Sequence, residues 1–424
     1  MIYGLIGEHL GHSFSAEIHA RLGEEPYELK ELPPDGVEAF LRSGDFRGIN
    51  VTIPYKQTVI PFLDGISETA RAIGAVNTIV RRDGKLFGDN TDAAGLTMLL
   101  ARTGAELKGK KVLILGTGGT SKTAKYAAET LGAAEAIRVS RTAREDAVTY
   151  EEAADRYRDA RILINTTPCG MYPHGEDCPV DIGNWPELEA VADAVYNPLR
   201  TNLILNARER GIPAEGGLFM LTAQAVRAAE LFRGTEYPPE TAERIFWELL
   251  QEKENTVLIG MPGSGKSTVS TALQRLTGRP AVDTDALIEE KAGKTIPEIF
   301  REDGEKHFRD LESEVIAEVS VRGGQIIATG GGAVLREENV RALKRNGRLV
   351  LLERPAEELI PTADRPLADT QEKMDRLRRE REPVYRAAAD CTVWLRGTPE
   401  EAAREMIENR PDLKELYFHE NTGD

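Results

Sequence analysis

Cysteine is scarce in this sequence. The three present, Cys169, Cys178 and Cys391, are too few for a disulfide framework or a four-thiolate zinc site. No apolar run approaches the roughly 20 residues that a membrane span requires. The opening Met1-Ile-Tyr-Gly-Leu-Ile-Gly-Glu-His lacks the basic and long apolar regions of a signal peptide. Positive charge is in deficit too: 54 Lys and Arg stand against 70 Asp and Glu, a net −16. A nucleic-acid binder needs a basic stripe to displace counterions, and none is visible. Anionic ligands must therefore be met by cations placed one by one. The expectation is a cytoplasmic protein, monomer or homodimer, with small-molecule substrates and neither nucleic acid nor membrane as partner.

At 424 residues the chain exceeds one ordinary hydrophobic core. Two strand–glycine-turn–helix signatures divide it: Lys111-Val-Leu-Ile-Leu-Gly-Thr-Gly-Gly-Thr-Ser-Lys and Thr256-Val-Leu-Ile-Gly-Met-Pro-Gly-Ser-Gly-Lys-Ser-Thr. Each apolar run is too short for a core helix and is stopped by glycine, so each reads as a buried parallel strand. The polar stretch from Phe246 to Asn255 reads as a helix end and short connector, which places the main boundary there. Before Lys111, about a hundred residues carry strand signals of their own (Tyr3–Gly7, Gly48–Ile53, Asn77–Arg81), enough for a separate α/β domain.

Gly116, Gly118 and Gly119 fit a dinucleotide-binding turn, with Ser121 where the full pattern has a third glycine. Such glycines let the backbone approach a pyrophosphate at a helix N-terminus. About 20 residues on, NAD enzymes of this type place an acid on the ribose. Here the strand ends Ser140-Arg141-Thr142, with Arg144 close behind, and guanidinium groups suit a 2′-phosphate. NADP(H) is favoured over NAD. The alternative is a solvated loop.

Gly260-Met-Pro-Gly263-Ser264-Gly265-Lys266-Ser267 is a full Walker A pattern. Its backbone N–H groups, with Thr268 following, would cradle the phosphates of ATP, Lys266 would reach the β- and γ-phosphates, and Ser267 would ligate Mg²⁺. Next comes Ala281-Val-Asp283-Thr-Asp285, whose two carboxylates fall on one side if the strand period continues. Asp283 would then hold Mg²⁺ through water and Asp285 act as base. The alternative is a strand end with Asp285 capping a helix.

The first half, Met1 to about Phe246, resembles shikimate dehydrogenase. The resemblance rests on His12-Ser13-Phe-Ser15, Asn50-Val-Thr52-Ile-Pro-Tyr-Lys56, Gly74-Ala-Val-Asn77-Thr78, Gly88-Asp-Asn-Thr-Asp92, Asn165-Thr-Thr-Pro-Cys-Gly-Met, Asp193-Ala-Val-Tyr196 and Gly216-Gly217-Leu-Phe-Met-Leu-Thr-Ala-Gln224. It implies Lys56 as proton donor to a ring carbonyl, oriented by Asp92. It further implies Ser13, Ser15, Thr52, Asn77, Gln224 and Tyr196 around 3-dehydroshikimate or shikimate. Ser13 and Ser15 fit a helix cap and turn as well. NADP contacts would come from Gly116, Gly118, Gly119, Thr120, Ser121, Ser140, Arg141, Thr142, Arg144 and Gly217.

The second half, Thr256 to about Ile407, resembles shikimate kinase through Gly293-Lys-Thr-Ile-Pro-Glu-Ile-Phe, Gly304-Glu-Lys-His-Phe308-Arg309, Ala328-Thr-Gly330-Gly331-Gly332, Asp364-Arg365-Pro-Leu and Glu380-Arg381-Glu-Pro-Val-Tyr385. By that resemblance Arg309 and Arg381 grip the shikimate carboxylate, Asp285 and Gly331 hold ring hydroxyls, and Arg365 closes from a lid. Pro361 and Thr362 stand where the family often has a basic residue near ATP. The fold expected is α/β throughout. Residues 1–95 form a substrate domain completed by about 226–250, 96–225 a Rossmann NADP domain, and 255–424 a P-loop parallel α/β/α kinase domain. The two resemblances meet on one metabolite, shikimate, and imply a two-enzyme fusion. A quinate-active dehydrogenase half and a catalytically inactive metabolite sensor are the rival readings.

Overall fold

The computed structural model describes residues 2–11, 13–23, 26–44, 46–355, 358–359 and 370–408. Two compact units divide at Leu250–Gln251. Among the described residues the strands form three sheets, two in the first unit and one in the second.

The first sheet holds β1 (Tyr3–Gly7), β2 (Tyr27–Glu31), β3 (Gly48–Val51), β4 (Gly65–Ile66), β5 (Thr78–Arg82) and β6 (Lys85–Asp89), in the order β2-β1-β3-β5-β6-β4. β1, β2 and β3 are mutually parallel, whereas β5 runs antiparallel to β3 and to β6. That reversal has a use. The start of β5 and the ends of β3 and β6 share one edge of the sheet, so Lys56, Asn77 and Asp92 emerge together. Ile6, Leu41, Ile49, Val51, Tyr55 and Ile79 pack the core beneath.

The second sheet holds β7 (Lys111–Leu115), β8 (Glu135–Ser140), β9 (Val148–Thr149), β10 (Ile162–Asn165), β11 (Ala190–Asp193) and β12 (Ala214–Glu215). All are parallel, ordered β9-β8-β7-β10-β11-β12. This is the doubly wound arrangement, whose strand order reverses beside β7 and opens a crevice at the carboxyl ends. β7 and β10 are buried along almost their whole length, as their unbroken apolar runs require.

Two helices join these sheets. Helix Asp92–Arg102 leaves the first, and helix Leu218–Arg233 returns to it. They cross closely because Gly95 has no side chain: a Cβ there would lie 2.6 Å from the Met220 carbonyl oxygen and 2.9 Å from Gln224 Cβ. The return to the first sheet thus starts at Leu218, ahead of the 226 expected. Further along, Phe232 lies over Gly48 of β3 and stacks on Tyr3 at 5.4 Å between ring centroids.

The helix end and short connector expected between Phe246 and Asn255 divide at Lys253. Helix Thr241–Lys253 leaves only Glu254, fully buried, before β13 (Asn255–Ile259). The third sheet, with β14 (Ala281–Asp283), β15 (Ile326–Ala328), β16 (Gly347–Glu353) and β17 (Cys391–Trp394), is parallel in the order β14-β15-β13-β16-β17. Separate apolar clusters fill its two faces, as a three-layer α/β/α unit demands. No helix among the described residues is long and apolar enough to cross a membrane.

Gly95→Val forces the crossing helices apart and should cost the first unit about 3 kcal/mol. Urea unfolding followed by tryptophan fluorescence measures it; unchanged stability would mean the helices do not cross that tightly.

Candidate active sites

In the first unit the turn after β3 carries Lys56, and Asp92 opens the helix that follows β6. Their side chains meet at 2.6 Å between Nζ and Oδ2, both largely withdrawn from solvent. The Val76 N–H donates to the Lys56 carbonyl at 2.7 Å, which ties the lysine to the Asn77 segment. Asn77 is buried. Its Oδ1 accepts the Thr91 N–H at 2.7 Å, and its Nδ2 donates to Thr91 Oγ1 at 3.0 Å and toward Gln224 Oε1 at 3.5 Å. Asn77, Thr91, Asp92 and Gln224 thus form one polar patch beside the Lys56 ammonium.

Thr52 lies in the same turn as Lys56, its carbonyl accepting the Tyr55 N–H at 3.0 Å. Gly7 lets it approach the Ser13 loop: a Cβ on Gly7 would come within 2.6 Å of Thr52 and 2.7 Å of Leu10, and Leu10 O accepts the Ser13 N–H. Ser13 Oγ donates to Ser15 Oγ at 2.9 Å and accepts the Ser15 N–H at 3.2 Å, so turn bonding and a polar surface coexist. Phe14 packs on the Tyr196 ring at 5.5 Å, and burial pushes the Tyr196 phenol up. No direct bond links Ser13, Ser15 or Tyr196 to Lys56 among the described contacts.

The glycine turn follows β7. Gly116 has φ +110°, and a Cβ there would sit 2.8 Å from Thr166 Oγ1, so glycine is required. Gly118 and Gly119 open the helix Gly119–Thr130 and have clear space where a Cβ would point. The backbone is therefore approachable, as a pyrophosphate demands. Ser121 fits the third glycine's place because it is small, fully buried, and donates its hydroxyl proton to Gly118 O at 2.7 Å. Thr120 lies in that same first turn. Ser140 closes β8 and accepts the Thr142 N–H at 3.4 Å, while Arg141 and Arg144 stand exposed beyond it. These residues fit a phosphorylated dinucleotide. Gly217 touches the backbone of the β11 loop, where a Cβ would meet Ala194 O at 2.2 Å.

Behind this turn lies Asp193, fully buried at the end of β11. It accepts from Asn165 Nδ2 at 2.9 Å, Val195 N at 3.0 Å and Thr201 Oγ1 at 2.6 Å. Burial outweighs these bonds and pushes its carboxyl up to about 6.

In the second unit, positive φ at Gly260, Gly263 and Gly265 curls the loop after β13 into helix Lys266–Thr277. Lys266 Nζ donates to Gly260 O and Met261 O, each at 2.9 Å, and so rests on the loop's own carbonyls. Ser264 Oγ is buried inside the loop, and Thr268 continues the first helical turn. Ser267 Oγ donates to Asp283 Oδ2 at 2.6 Å, an all-oxygen pair suited to a hard cation such as Mg²⁺.

The strand period expected through Asp285 does not hold. β14 ends at Asp283, whose Oδ1 accepts the N–H groups of Asp285 at 3.0 Å and Ala286 at 3.4 Å and starts helix Thr284–Ala292. Asp283 is the cap, and Asp285 lies in the first helical turn. Both still line one cavity of about 570 Å³, together with Ser267, Arg309, Gly331 and Arg381. Burial, followed by the Asp283 charge, raises the Asp285 carboxyl. Gly330 permits the crowding, since a Cβ there would lie 2.5 Å from Asp285 Oδ1. Arg309 Nη1 donates to buried Glu312 Oε2 at 2.7 Å, and Arg381 Nη1 donates to Gly331 O at 2.9 Å. His12, Pro361, Thr362 and Arg365 lie outside the described residues.

A shikimate dehydrogenase (NADP(+)) of Clostridium perfringens strain SM101 is 37% identical over 266 residues, spanning 58% of this chain and 98% of the relative. The chain belongs to the shikimate dehydrogenase family. The profile of the shikimate dehydrogenase substrate binding domain matches residues 5–79, and that of shikimate kinase matches residues 262–410. A solved chorismate mutase/shikimate 5-dehydrogenase fusion protein from Clostridium acetobutylicum shares 33% identity and a TM-score of 0.56 over 58% of this chain and 96% of that one. The shikimate 5-dehydrogenase of Thermus thermophilus, solved with NADP(H) and shikimate, gives 32%, 0.53, 58% and 99%.

One group lies outside the motifs: Glu312, three residues beyond Arg309, the helical spacing that points to it. Thr91 and Tyr385 lie within motifs that give them no role.

Because the folded pKa of Asp193 is raised, its protonated form stabilises the fold below the ordinary value of 3.8, and that contribution is lost as pH climbs through about 6. Asp193→Asn removes this dependence. The unfolding free energy of the variant relative to wild type should rise by up to about 3 kcal/mol across that window; a flat difference would show Asp193 to be ionised throughout.

Proposed function

We propose that the chain catalyses two consecutive reactions: reduction of 3-dehydroshikimate to shikimate with NADPH, and phosphorylation of the product by MgATP. The observation that carries this reading is the second unit's cavity. Its walls hold phosphate-transfer groups (Ser267, Asp283) and guanidinium groups suited to a carboxylate (Arg309, Arg381). A hydroxylated ring acid spans such a cavity, and the first unit belongs to a family named for making one.

NADPH supplies a hydride to the ring ketone when bound at the glycine turn. Lys56 gives the carbonyl oxygen its proton, so carbonyl becomes alcohol, while Asp92 holds the ammonium in place. Asn77 and Gln224 offer hydrogen bonds to ring hydroxyls, and Ser13, Ser15, Thr52 and Tyr196 supply further polar contacts to the ring acid. Arg141 and Arg144 take the 2′-phosphate. In the second site Asp285 accepts the proton of the ring hydroxyl, Ser267 and Asp283 supply oxygens for Mg²⁺, and Lys266 turns from its loop carbonyls to the phosphates. The oxygen protonated by Lys56 is then the one that attacks phosphorus. The inactive-sensor reading is not favoured, since the sequence keeps each of these groups.

Lys56→Ala should lower kcat for NADPH-dependent reduction on the order of a hundredfold or more and leave ADP release from shikimate untouched. Lys266→Ala should do the reverse. Rates of both half-reactions on both variants test the assignment. Reduction that survives Lys56→Ala refutes the lysine's role, and joint loss refutes independent sites.

A further inference from the structure

Gly330–Gly332 follow β15 and form one wall of the acceptor cavity. The peptide that joins Gly331 to Gly332 is wedged there. A Cβ on Gly331 would lie 2.8 Å from the Pro262 ring of the phosphate loop, and one on Gly332 would run into the Arg309 guanidinium. The carbonyl oxygen of this peptide, on Gly331, accepts from Arg381 Nη1 at 2.9 Å. Both guanidinium groups proposed to meet the substrate carboxylate are thus registered on one peptide.

A third side chain holds that peptide. Tyr385 lies one turn beyond Arg381 on helix Gln371–Ala388, and its hydroxyl donates to the same Gly331 oxygen. The residue is 2% exposed and belongs to the apolar cluster that includes Met261, Ala333 and Val334, so packing aims the hydroxyl. Burial pushes the phenol up to about 12, which keeps it a donor. A carbonyl with two donors uses both lone pairs and cannot turn without breaking both bonds. The peptide is trans, so the Gly332 N–H points away from Tyr385. A buried phenol ordinarily finds some carbonyl, and that alone is packing. This phenol has taken the carbonyl that also holds Arg381.

We propose that Tyr385 is a positioning residue for the acceptor site: its hydroxyl fixes the Gly331–Gly332 peptide and, through it, the spacing of Arg309 and Arg381 about the carboxylate of the ring acid. Tyr385 does not itself line the cavity. The inference rests on the phosphotransfer reading and deepens it.

Initial rates of ADP release by the full chain test it, with shikimate and MgATP each varied at saturation of the other. Tyr385→Phe keeps the ring and removes one of the two bonds to Gly331 O. It should raise KM for shikimate about tenfold and leave kcat and KM for ATP within about twofold. Calorimetric titration of the variant with MgADP reports whether its phosphate loop is intact. An unchanged KM for shikimate overturns the inference alone. So does a fall in kcat with both KM values unchanged, or a loss of ADP binding, because either marks a hydroxyl that supports the whole fold. If unaltered chain releases no ADP from shikimate, the phosphotransfer reading falls and the inference with it.

Discussion

A strand buried between helices satisfies its backbone through its neighbours until it ends, and there its polar groups need new partners. Most candidate groups of this chain sit at such ends, with Gln224, Arg309 and Arg381 reaching in from helices. The Asn77 side chain, the glycine turn after β7, the Asp193 network and the phosphate loop all occupy the edge where strands give way to loops. In the two parallel sheets the carboxyl ends coincide by construction. In the first sheet the antiparallel β5 and β6 are needed to bring Asn77 and Asp92 to the edge where β3 releases Lys56.

Close approach at these edges is bought with missing side chains. Gly95 sets the crossing that delivers Gln224, Gly7 brings the Ser13 loop to Thr52, and Gly330 admits the Asp285 carboxylate. A methyl group at any of these positions would displace a residue that the proposed function places in a site. The same logic explains how a chain of net charge −16 handles anionic ligands. The cations of its candidate sites are held by carboxylates or carbonyls and aimed: Lys56 by Asp92, Arg309 by Glu312, Arg381 by Gly331 O.

Contiguous patterns were legible before any coordinates: both glycine turns, the lysine and aspartate of the first site, the α/β class of each unit. Asp285 was misplaced because a capping aspartate ends a strand in one step, and periodicity cannot see a cap. Glu312 depends on helix phase, which the charged faces of its helix obscure. Asp193 was quoted only as part of a motif, since its burial is a property of three loops at once. The helix end and short connector at 246–255 take the form of helix to Lys253 and a single residue, Glu254.

The most direct measurement supplies the chain with 3-dehydroshikimate, NADPH, ATP and Mg²⁺ and follows the ring by mass spectrometry. Shikimate 3-phosphate should accumulate with one NADPH oxidised and one ADP released for each ring, and shikimate should appear alone when ATP is omitted. A ring that is reduced but never phosphorylated with ATP present, or left unreduced with NADPH present, would contradict the account.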